Sequence, residues 1–263
     1  MVRGRKCPRC YDRDMDARFL MMTTRDIEEV ARSEREALLR FTGLRPDQLV
    51  NVRLEREDFP RIDFTHWDGA ILCGSAYDVS APEDKKSARQ KDVERGLRRL
   101  TEDALETGFP IFGICYGLGV VARQLGGRVD PEISEDISAP VLTLTSEGRA
   151  DPILEGVPER FRAYVGHHES VVEAPDAMVP LVTGAIAPLQ MARVGPNMYL
   201  TQFHPELDLD GIRLRIELFA DYGYYPPQER KKVESRVTGV DVSPSHKIIG
   251  NFVRRFSSRR GAA

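Results

Sequence analysis

Short apolar runs alternate with amphipathic stretches along the first half of this 263-residue chain. A short apolar run bounded by turn signals predicts a buried strand, whereas apolar residues at three- and four-residue intervals predict a helix. The predicted strands lie at residues 19–22, 49–54, 70–73 and 110–114, with helical segments between them. This alternation predicts an α/β domain, in which helices cover both faces of a mainly parallel sheet.

Polar residues at the expected cap positions delimit the predicted helices. Thr23 or Thr24 is expected to cap the first helix, and Gly43 to end it. Ser87 and Gln90 form a capping box that opens the second helix.

The pattern changes between residues 139 and 203, where short strand-like segments are separated by turn signals such as those at 195–197. This predicts a small antiparallel extension of the sheet. Helical stripes return at 209–219 and 248–256, and Pro226-Pro227 marks the start of a short helix between them. The polar ends, residues 1–17 and 258–263, are predicted to be tails of a single domain at 18–257.

Composition narrows the classes of function. Hydrophobic residues make up 41% of the chain and charged residues 30%, and the net charge of −3 argues against a general nucleic-acid or anionic-membrane binder. No apolar run approaches the ~18–20 residues of a membrane span, and the start of the chain lacks a signal-peptide pattern. We therefore expect a cytoplasmic protein without a nucleic-acid or membrane partner.

The four cysteines are Cys7, Cys10, Cys73 and Cys115. Cys7 and Cys10 form a C-x-x-C pair, but no second pair of ligands lies at zinc-site spacing. In a reducing compartment these thiols predict no disulfide. We expect neither a metal nor a cofactor.

The stretch Gly113-Ile114-Cys115-Tyr116-Gly117 carries the first candidate chemistry. An apolar strand runs into it and an amphipathic helix follows, as in a nucleophile elbow with Cys in place of Ser. A helix N-terminus favours thiolate, so the pKa of Cys115 is expected to be lowered. The competing interpretation is a cysteine packed as a small hydrophobe.

The second candidate is the sequence Gln-Phe-His-Pro-Glu at 202–206, which follows a strand-like run. In an extended segment residues two apart point to the same side, so Glu206 can hold one imidazole nitrogen of His204 while the other faces a thiol. The competing interpretation is a solvent-exposed turn.

Together these motifs, about 85 residues apart, resemble the class I (triad-type) glutamine amidotransferases, and in particular the stand-alone branch similar to the amidotransferase domain of GMP synthase. The resemblance implies a flavodoxin-like sheet and the hydrolysis of glutamine to glutamate and ammonia through a cysteine thioester. It implies that Cys115 is the nucleophile, His204 the base and Glu206 the orienting acid.

The resemblance also implies an oxyanion hole. Gly74 and Ser75 fall where the family has a Gly-Gly loop after a strand, and a backbone N–H there would stabilise the oxyanion together with the N–H of Tyr116.

A substrate pocket is implied at residues Gly166, His167, His168 and Glu169, where relatives have a His-Gly-Asp segment. Gly119 departs from the pattern, since relatives often carry a Gln there that helps to hold the amino-acid end of the substrate.

Gly119 keeps a second hypothesis open, a γ-glutamyl hydrolase that acts on a γ-glutamyl amine or peptide. A third hypothesis, a catalytically silent regulatory or binding module, is disfavoured because all three triad residues are present. The expected ligand is glutamine or a γ-glutamyl compound, and a separate synthetase or acceptor protein is a candidate partner. His66 and His246 lie away from the motifs and are expected to be structural or surface residues.

Overall fold

The computed structural model describes residues 17–219, 225 and 227–257. The strands are β1 (Phe19–Thr23), β2 (Leu49–Arg53), β3 (Gly69–Leu72), β4 (Ile111–Ile114), β5 (Arg128–Asp130), β6 (Glu135–Ser138), β7 (Val141–Leu144), β8 (Arg160–Arg162), β9 (Val165–His167), β10 (Ser170–Glu173), β11 (Met178–Thr183), β12 (Met191–Val194) and β13 (Met198–Thr201). The α-helices are α1 (Glu28–Thr42), α2 (Ala88–Thr107), α3 (Tyr116–Gln124), α4 (Ser146–Ala150), α5 (Leu209–Leu218), α6 (Arg230–Val237) and α7 (Ser243–Phe256).

A central sheet holds nine of these strands in the order β2-β1-β3-β4-β13-β12-β11-β7-β8. β2, β1, β3, β4 and β13 pair parallel in that order. From β13 onward, through β12, β11 and β7 to β8, each pairing is antiparallel. Two small sheets, β5 with β10 and β6 with β9, complete the strands. The predicted parallel sheet with an antiparallel extension is therefore confirmed.

Alternating side chains along β1 supply two apolar cores on opposite faces of the sheet. Phe19 and Met21 pack in one core with residues of α1 and α7. Leu20 and Met22 pack in the other with residues of α2 and α3. Both faces are thus covered, which explains why these strands read as continuous apolar runs.

The predicted cap of the first helix is wrong. Thr23 ends β1, Thr24 donates its hydroxyl hydrogen to Ser75 Oγ at 2.7 Å, and α1 begins only at Glu28 without a side-chain cap. Both threonines therefore lie at the edge of the sheet, and neither caps α1. The second helix follows the prediction, since Ser87 Oγ accepts from Gln90 N–H at 3.0 Å.

Some predictions lie outside the described residues: the tails at 1–16 and 258–263, the Cys7–Cys10 pair and Pro226. Ala17, placed in the predicted N-terminal tail, is described and lies buried in the core. Within the described ranges, no helix is long and apolar enough to cross a membrane.

The sheet order places the candidate site. β1, β3, β4 and β13 are consecutive parallel neighbours, so the segments that follow them meet at one edge of the sheet. The segment after β1 carries Arg25, the one after β3 carries Gly74, the one after β4 begins with Cys115, and the one after β13 runs from 202 to 206.

Candidate active site

Cys115 stands at a sharp turn between β4 and α3. Its backbone has φ 51° and ψ −89°, and among the described residues it is the only non-glycine with positive φ. Its N–H donates to Thr201 O at 2.6 Å, and its carbonyl accepts from the N–H groups of Leu118 and Gly119. A strained conformation persists only where the surroundings fix it. Here the neighbouring strand β13 and the first turn of α3 both do so.

His204 and Glu206 form a buried pair, with 2.8 Å between His204 Nδ1 and Glu206 Oε1. Burial lowers the pKa of His204 against the opposing effect of Glu206. Burial alone would raise the pKa of Glu206, but His204 and Arg215 bring it down to about 2. The resting pair is therefore a carboxylate that holds the Nδ1 proton of a neutral imidazole, which leaves Nε2 as the proton acceptor.

The imidazole of His204 and the side chain of Cys115 face the same small space beside Gly74. A methyl group on Gly74 would lie 3.0 Å from His204 Cε1 and 3.7 Å from Cys115 Cβ. Both side chains also line one cavity. The absence of a side chain at Gly74 thus leaves room for the two to approach.

The thiol of Cys115 is protonated at rest. Burial raises its pKa to about 12, although the positive charge of Arg25 acts in the opposite direction. The lowered pKa that the sequence predicts is therefore wrong, because desolvation of the thiolate outweighs the favourable charges. A protonated thiol needs a base before it can attack, and the role of His204 as that base stays a prediction.

Gln202 is a residue of the candidate site that sequence reasoning missed. Its amide Nε2 lies 3.7 Å from Cys115 Sγ, within donor range of sulfur. The alternation rule that paired His204 with Glu206 also points to Gln202, which lies two residues before His204.

The predicted oxyanion donors adjoin Cys115. The Ser75 hydroxyl accepts from Thr24 Oγ1 at 2.7 Å and from Tyr77 N–H at 2.9 Å, which fixes the loop that Gly74 begins. Tyr116 is the first residue of α3, so its N–H has no acceptor inside the helix. The role of these N–H groups stays a prediction.

Two cavities meet at the thiol, since Cys115, Ser75 and Gly166 line both of them. The first, which we call the acidic cavity, is also lined by Asp78, Gly119, His167, His168 and Glu169. The second, which we call the His204 cavity, is also lined by His204, Ile137, Val165, Leu207, Ile212, Phe219, Arg25 and Arg215. The fold therefore brings every residue of the implied substrate pocket into one cavity with Cys115.

The two neighbouring histidines have different surroundings. His167 is buried, with Nδ1 2.9 Å from Glu169 O and Nε2 2.9 Å from Glu135 Oε2, so both ring nitrogens have protein partners. His168 is partly exposed, with Nδ1 3.6 Å from Asp78 Oδ1, and this contact raises its pKa. His167 thus holds the pocket segment in place, whereas His168 borders the cavity.

Glu169 closes the acidic cavity. Its Oε1 accepts from Val79 N–H at 2.7 Å and its Oε2 accepts from Ser80 N–H at 2.8 Å. Burial raises the pKa of Glu169, and the bonds from Ser80 and Val79 oppose that rise. A methyl group on Gly119 would lie 3.7 Å from Glu169 Oε1.

Buried charges also lie behind the His204–Glu206 pair, on Arg25, Glu34 and Arg215. Arg215 Nη2 donates to Glu206 Oε1 at 3.3 Å and to Glu34 Oε1 at 2.8 Å. No sequence signal identified Glu34 and Arg215, because charged residues on amphipathic helices are usually solvated. Nor did any signal identify Arg25, which lies in the segment after β1.

Residues 53–214 match the family model described as Glutamine amidotransferase class-I. This range contains all the site residues that the sequence predicts. The chain belongs to the class I glutamine amidotransferase family.

Relatives of this amidotransferase include two bacterial proteins named GMP synthase [glutamine-hydrolyzing]. The one from Thermomicrobium roseum is 35% identical over 165 residues, which are 60% of this chain and 27% of that protein. The one from Thermotoga maritima is 29% identical over 176 residues, which are 63% of this chain and 31% of that protein. The chain thus spans less than a third of the length of these curated relatives.

Solved structures share the fold of this amidotransferase. A glutamine amidotransferase from Thermotoga maritima superposes with a TM-score of 0.73 at 18% identity, over 92% of this chain and 98% of that one. One from Methylobacillus flagellatus gives 0.64 at 12% identity, over 92% and 95%. The predicted flavodoxin-like architecture is therefore confirmed.

The two remaining histidines, His66 and His246, differ in their surroundings. His66 is exposed, beside Asp63. His246 stacks on Phe41 with 3.8 Å between ring centroids, and its Nδ1 donates to Pro205 O at 2.8 Å. His246 is thus a structural residue, as expected, but one that supports the segment between His204 and Glu206.

Proposed function

We propose that this amidotransferase hydrolyses the side-chain amide of glutamine to glutamate and ammonia, through a thioester on Cys115. The observation that carries the proposal is the meeting, at one sheet edge, of a strained Cys115 with a buried His204–Glu206 pair at 2.8 Å. Family membership supports glutamine as the amide donor.

In the first half-reaction His204 Nε2 takes the thiol proton, and Cys115 Sγ attacks the carboxamide carbon of glutamine. The N–H groups at Gly74 or Ser75 and at Tyr116 stabilise the oxyanion. The imidazolium, stabilised by Glu206, gives its proton to the amide nitrogen. The C–N bond breaks, ammonia leaves, and the γ-glutamyl thioester remains.

In the second half-reaction His204 takes a proton from a water molecule, whose oxygen attacks the thioester carbon. The same N–H donors stabilise the second oxyanion. The C–S bond breaks, the imidazolium returns the proton to Cys115 Sγ, and glutamate leaves.

Glutamate release from glutamine tests this proposal, with Cys115→Ala beside the control Cys73→Ala, which removes a second thiol. We expect Cys115→Ala to lose at least ~10⁴-fold in kcat with an unchanged melting temperature, since the nucleophile is essential. Cys73→Ala should stay within about threefold of wild type. Equal activity in the two variants would contradict the proposal.

A γ-glutamyl amine or peptide is the second candidate substrate. Two observations favour it: Gly119 offers no side chain to the amino-acid end of glutamine, and the His204 cavity adjoins both Cys115 and the residue that protonates the leaving nitrogen. Comparing kcat/KM for glutamine and γ-glutamyl ethylamide separates the two. A preference for the ethylamide would favour the second function, and turnover of neither would favour the silent module.

We also propose that a separate synthetase or acceptor protein consumes the ammonia. The relatives named above carry more than two thirds of their length outside the match, and their name couples glutamine hydrolysis to GMP synthesis. The purified chain alone should then be a slow glutaminase, and a rate already comparable with assembled enzymes, with kcat near ~10 s⁻¹, would contradict a need for a partner.

A further inference from the structure

Arg215 in α5 and Glu34 in α1 stand behind the triad, 181 residues apart in sequence. Both side chains are buried. The guanidinium of Arg215 bridges two carboxylates, with Nη2 2.8 Å from Glu34 Oε1 and 3.3 Å from Glu206 Oε1. Glu206 belongs to the proposed triad, so Arg215 on α5 and Glu34 on α1 together support the triad.

Glu206 depends on this support. Its Oε2 is buried and has no hydrogen-bond partner among the described residues, whereas its Oε1 contacts both His204 and Arg215. A buried carboxylate is costly unless charge and hydrogen bonds compensate it. Arg215 is the permanent cation that compensates Glu206, since His204 is neutral at rest.

Arg215 also sets the charge beside the imidazole. Its Nη1 lies 3.2 Å from His204 Nδ1. Because Nδ1 directs its proton at the ionised Glu206, and a guanidinium can only donate, no hydrogen bond joins Arg215 to Nδ1. The contact instead places positive charge against the ring. Together with burial, it lowers the pKa of His204.

Glu34 joins Arg215 to Arg25. Its Oε1 accepts from Arg25 Nε at 3.3 Å and Nη2 at 3.1 Å, and its Oε2 accepts from Thr23 Oγ1 at 3.3 Å. Arg25 lines the His204 cavity with Cys115. The cluster of Arg25, Glu34, Arg215 and Glu206 therefore balances two buried cations with two buried carboxylates.

We propose that Arg215, held by Glu34, is a positioning residue that fixes Glu206 and, through Glu206, the ring of His204. The proposal rests on the proposed function of the triad. The charged and titratable groups that face His204 are Glu206 on its own segment, Arg215 on α5, Arg25 after β1 and Cys115 at the elbow.

The test compares Arg215→Met with Arg213→Met, an exposed arginine on the same helix. We expect Arg215→Met to lower kcat by ~10- to 100-fold while KM stays within about threefold, as for residues that orient a reacting group. Arg213→Met should match wild type.

The pH profile separates positioning from a merely structural role. Loss of the cation raises the pKa of both His204 and Cys115. The acid limb of kcat/KM reports the pKa of Cys115 if the thiol proton moves to His204 before the attack, and the pKa of His204 otherwise. The acid limb therefore shifts to higher pH in either case. A pH titration of the His204 imidazole signals by NMR reads the same shift without turnover. An inactive wild type would thus refute the proposed function and still leave this measurement decisive.

Two further variants test the positioning role of Arg215 if Arg215→Met does not fold. Arg215→Lys keeps the charge but loses the fork that reaches both carboxylates, so it should restore the acid limb and only part of kcat. Glu34→Gln should lower kcat at least about threefold, because Arg215 loses its charged anchor. Wild-type kcat and pH profile in both of these variants, or no difference between Arg215→Met and Arg213→Met, would overturn the proposal.

Discussion

Glu169 lies against the space that Gly119 leaves open in the acidic cavity. The motif alone predicts a lost contact at Gly119, because it cannot show what a neighbouring loop brings to that place. In the structure, Val79 and Ser80 donate to the Glu169 carboxylate, whose Oε1 would lie 3.7 Å from a methyl group on Gly119. Gly119 and Glu169 are therefore paired: the glutamate occupies space that a larger side chain at position 119 would need.

Restoring the family residue at Gly119 should not by itself improve glutamine binding. A side chain there would meet Val79 Cγ2 at 3.2 Å and crowd Glu169, so Gly119→Gln should raise KM by ~10-fold. The double variant Gly119→Gln with Glu169→Asp, which shortens the acid, should recover part of that loss. Initial-rate kinetics measure both values, and a lower KM in the single variant would contradict the pairing.

Glu206 should contribute to stability in a pH-dependent way. Its pKa falls from 4.5 to about 2 on folding, so its contribution is fully present above pH 4.5 and is lost as pH falls toward 2. The size of this contribution is about 3 kcal/mol. Urea unfolding at pH 5 and pH 3 should show a smaller drop in the free energy of unfolding for Glu206→Gln than for wild type. Equal drops would contradict the buried ion pair.

At the scale of elements, the sequence pattern predicted those strands and helix starts that depend only on neighbouring residues. The apolar runs predicted β1, β3 and β4, because the spacing of apolar side chains determines these strands. Ser87 predicted the start of α2, because a single cap residue determines it. The strands β5, β8 and β9 were not predicted, since three residues are too few for a period. The start of α1 failed because tertiary contacts at the sheet edge took Thr24 away from capping.

The two glycines of the elbow should differ in their tolerance of a methyl group. On Gly113 it would lie 2.6 Å from Leu200 Cδ2 and 3.3 Å from Gly117 C, whereas on Gly117 it would meet Leu72 Cβ at an ordinary 3.5 Å. Gly113→Ala should therefore cost about 1–3 kcal/mol of unfolding free energy, and Gly117→Ala less. Thermal melts of the two variants measure this, and the opposite order would contradict the packing of α3 on the sheet.

At the scale of the whole molecule, the site depends on strand order. The sequence predicted Cys115, His204 and Glu206 as candidate residues because each motif carries its own chemistry, and the parallel sheet predicted that the strand ends gather at one edge. The order β1-β3-β4-β13, however, joins segments far apart in sequence, and the bridge from Glu34 to Arg215 exists only in the folded chain. The protonated resting thiol of Cys115 was missed for the same reason, since its desolvation comes from the assembled fold.

Covalent labelling tests the central claim, that Cys115 is the nucleophile of a glutamine-hydrolysing triad, most directly. The full chain is incubated with a diazo-ketone analogue of glutamine, with and without excess glutamine, and the labelled residue is located by peptide mass spectrometry. The account predicts one label per chain, on Cys115, that glutamine suppresses and that His204→Ala slows. A label on Cys73, Cys7 or Cys10, or labelling of Cys115 that glutamine does not affect, would contradict it.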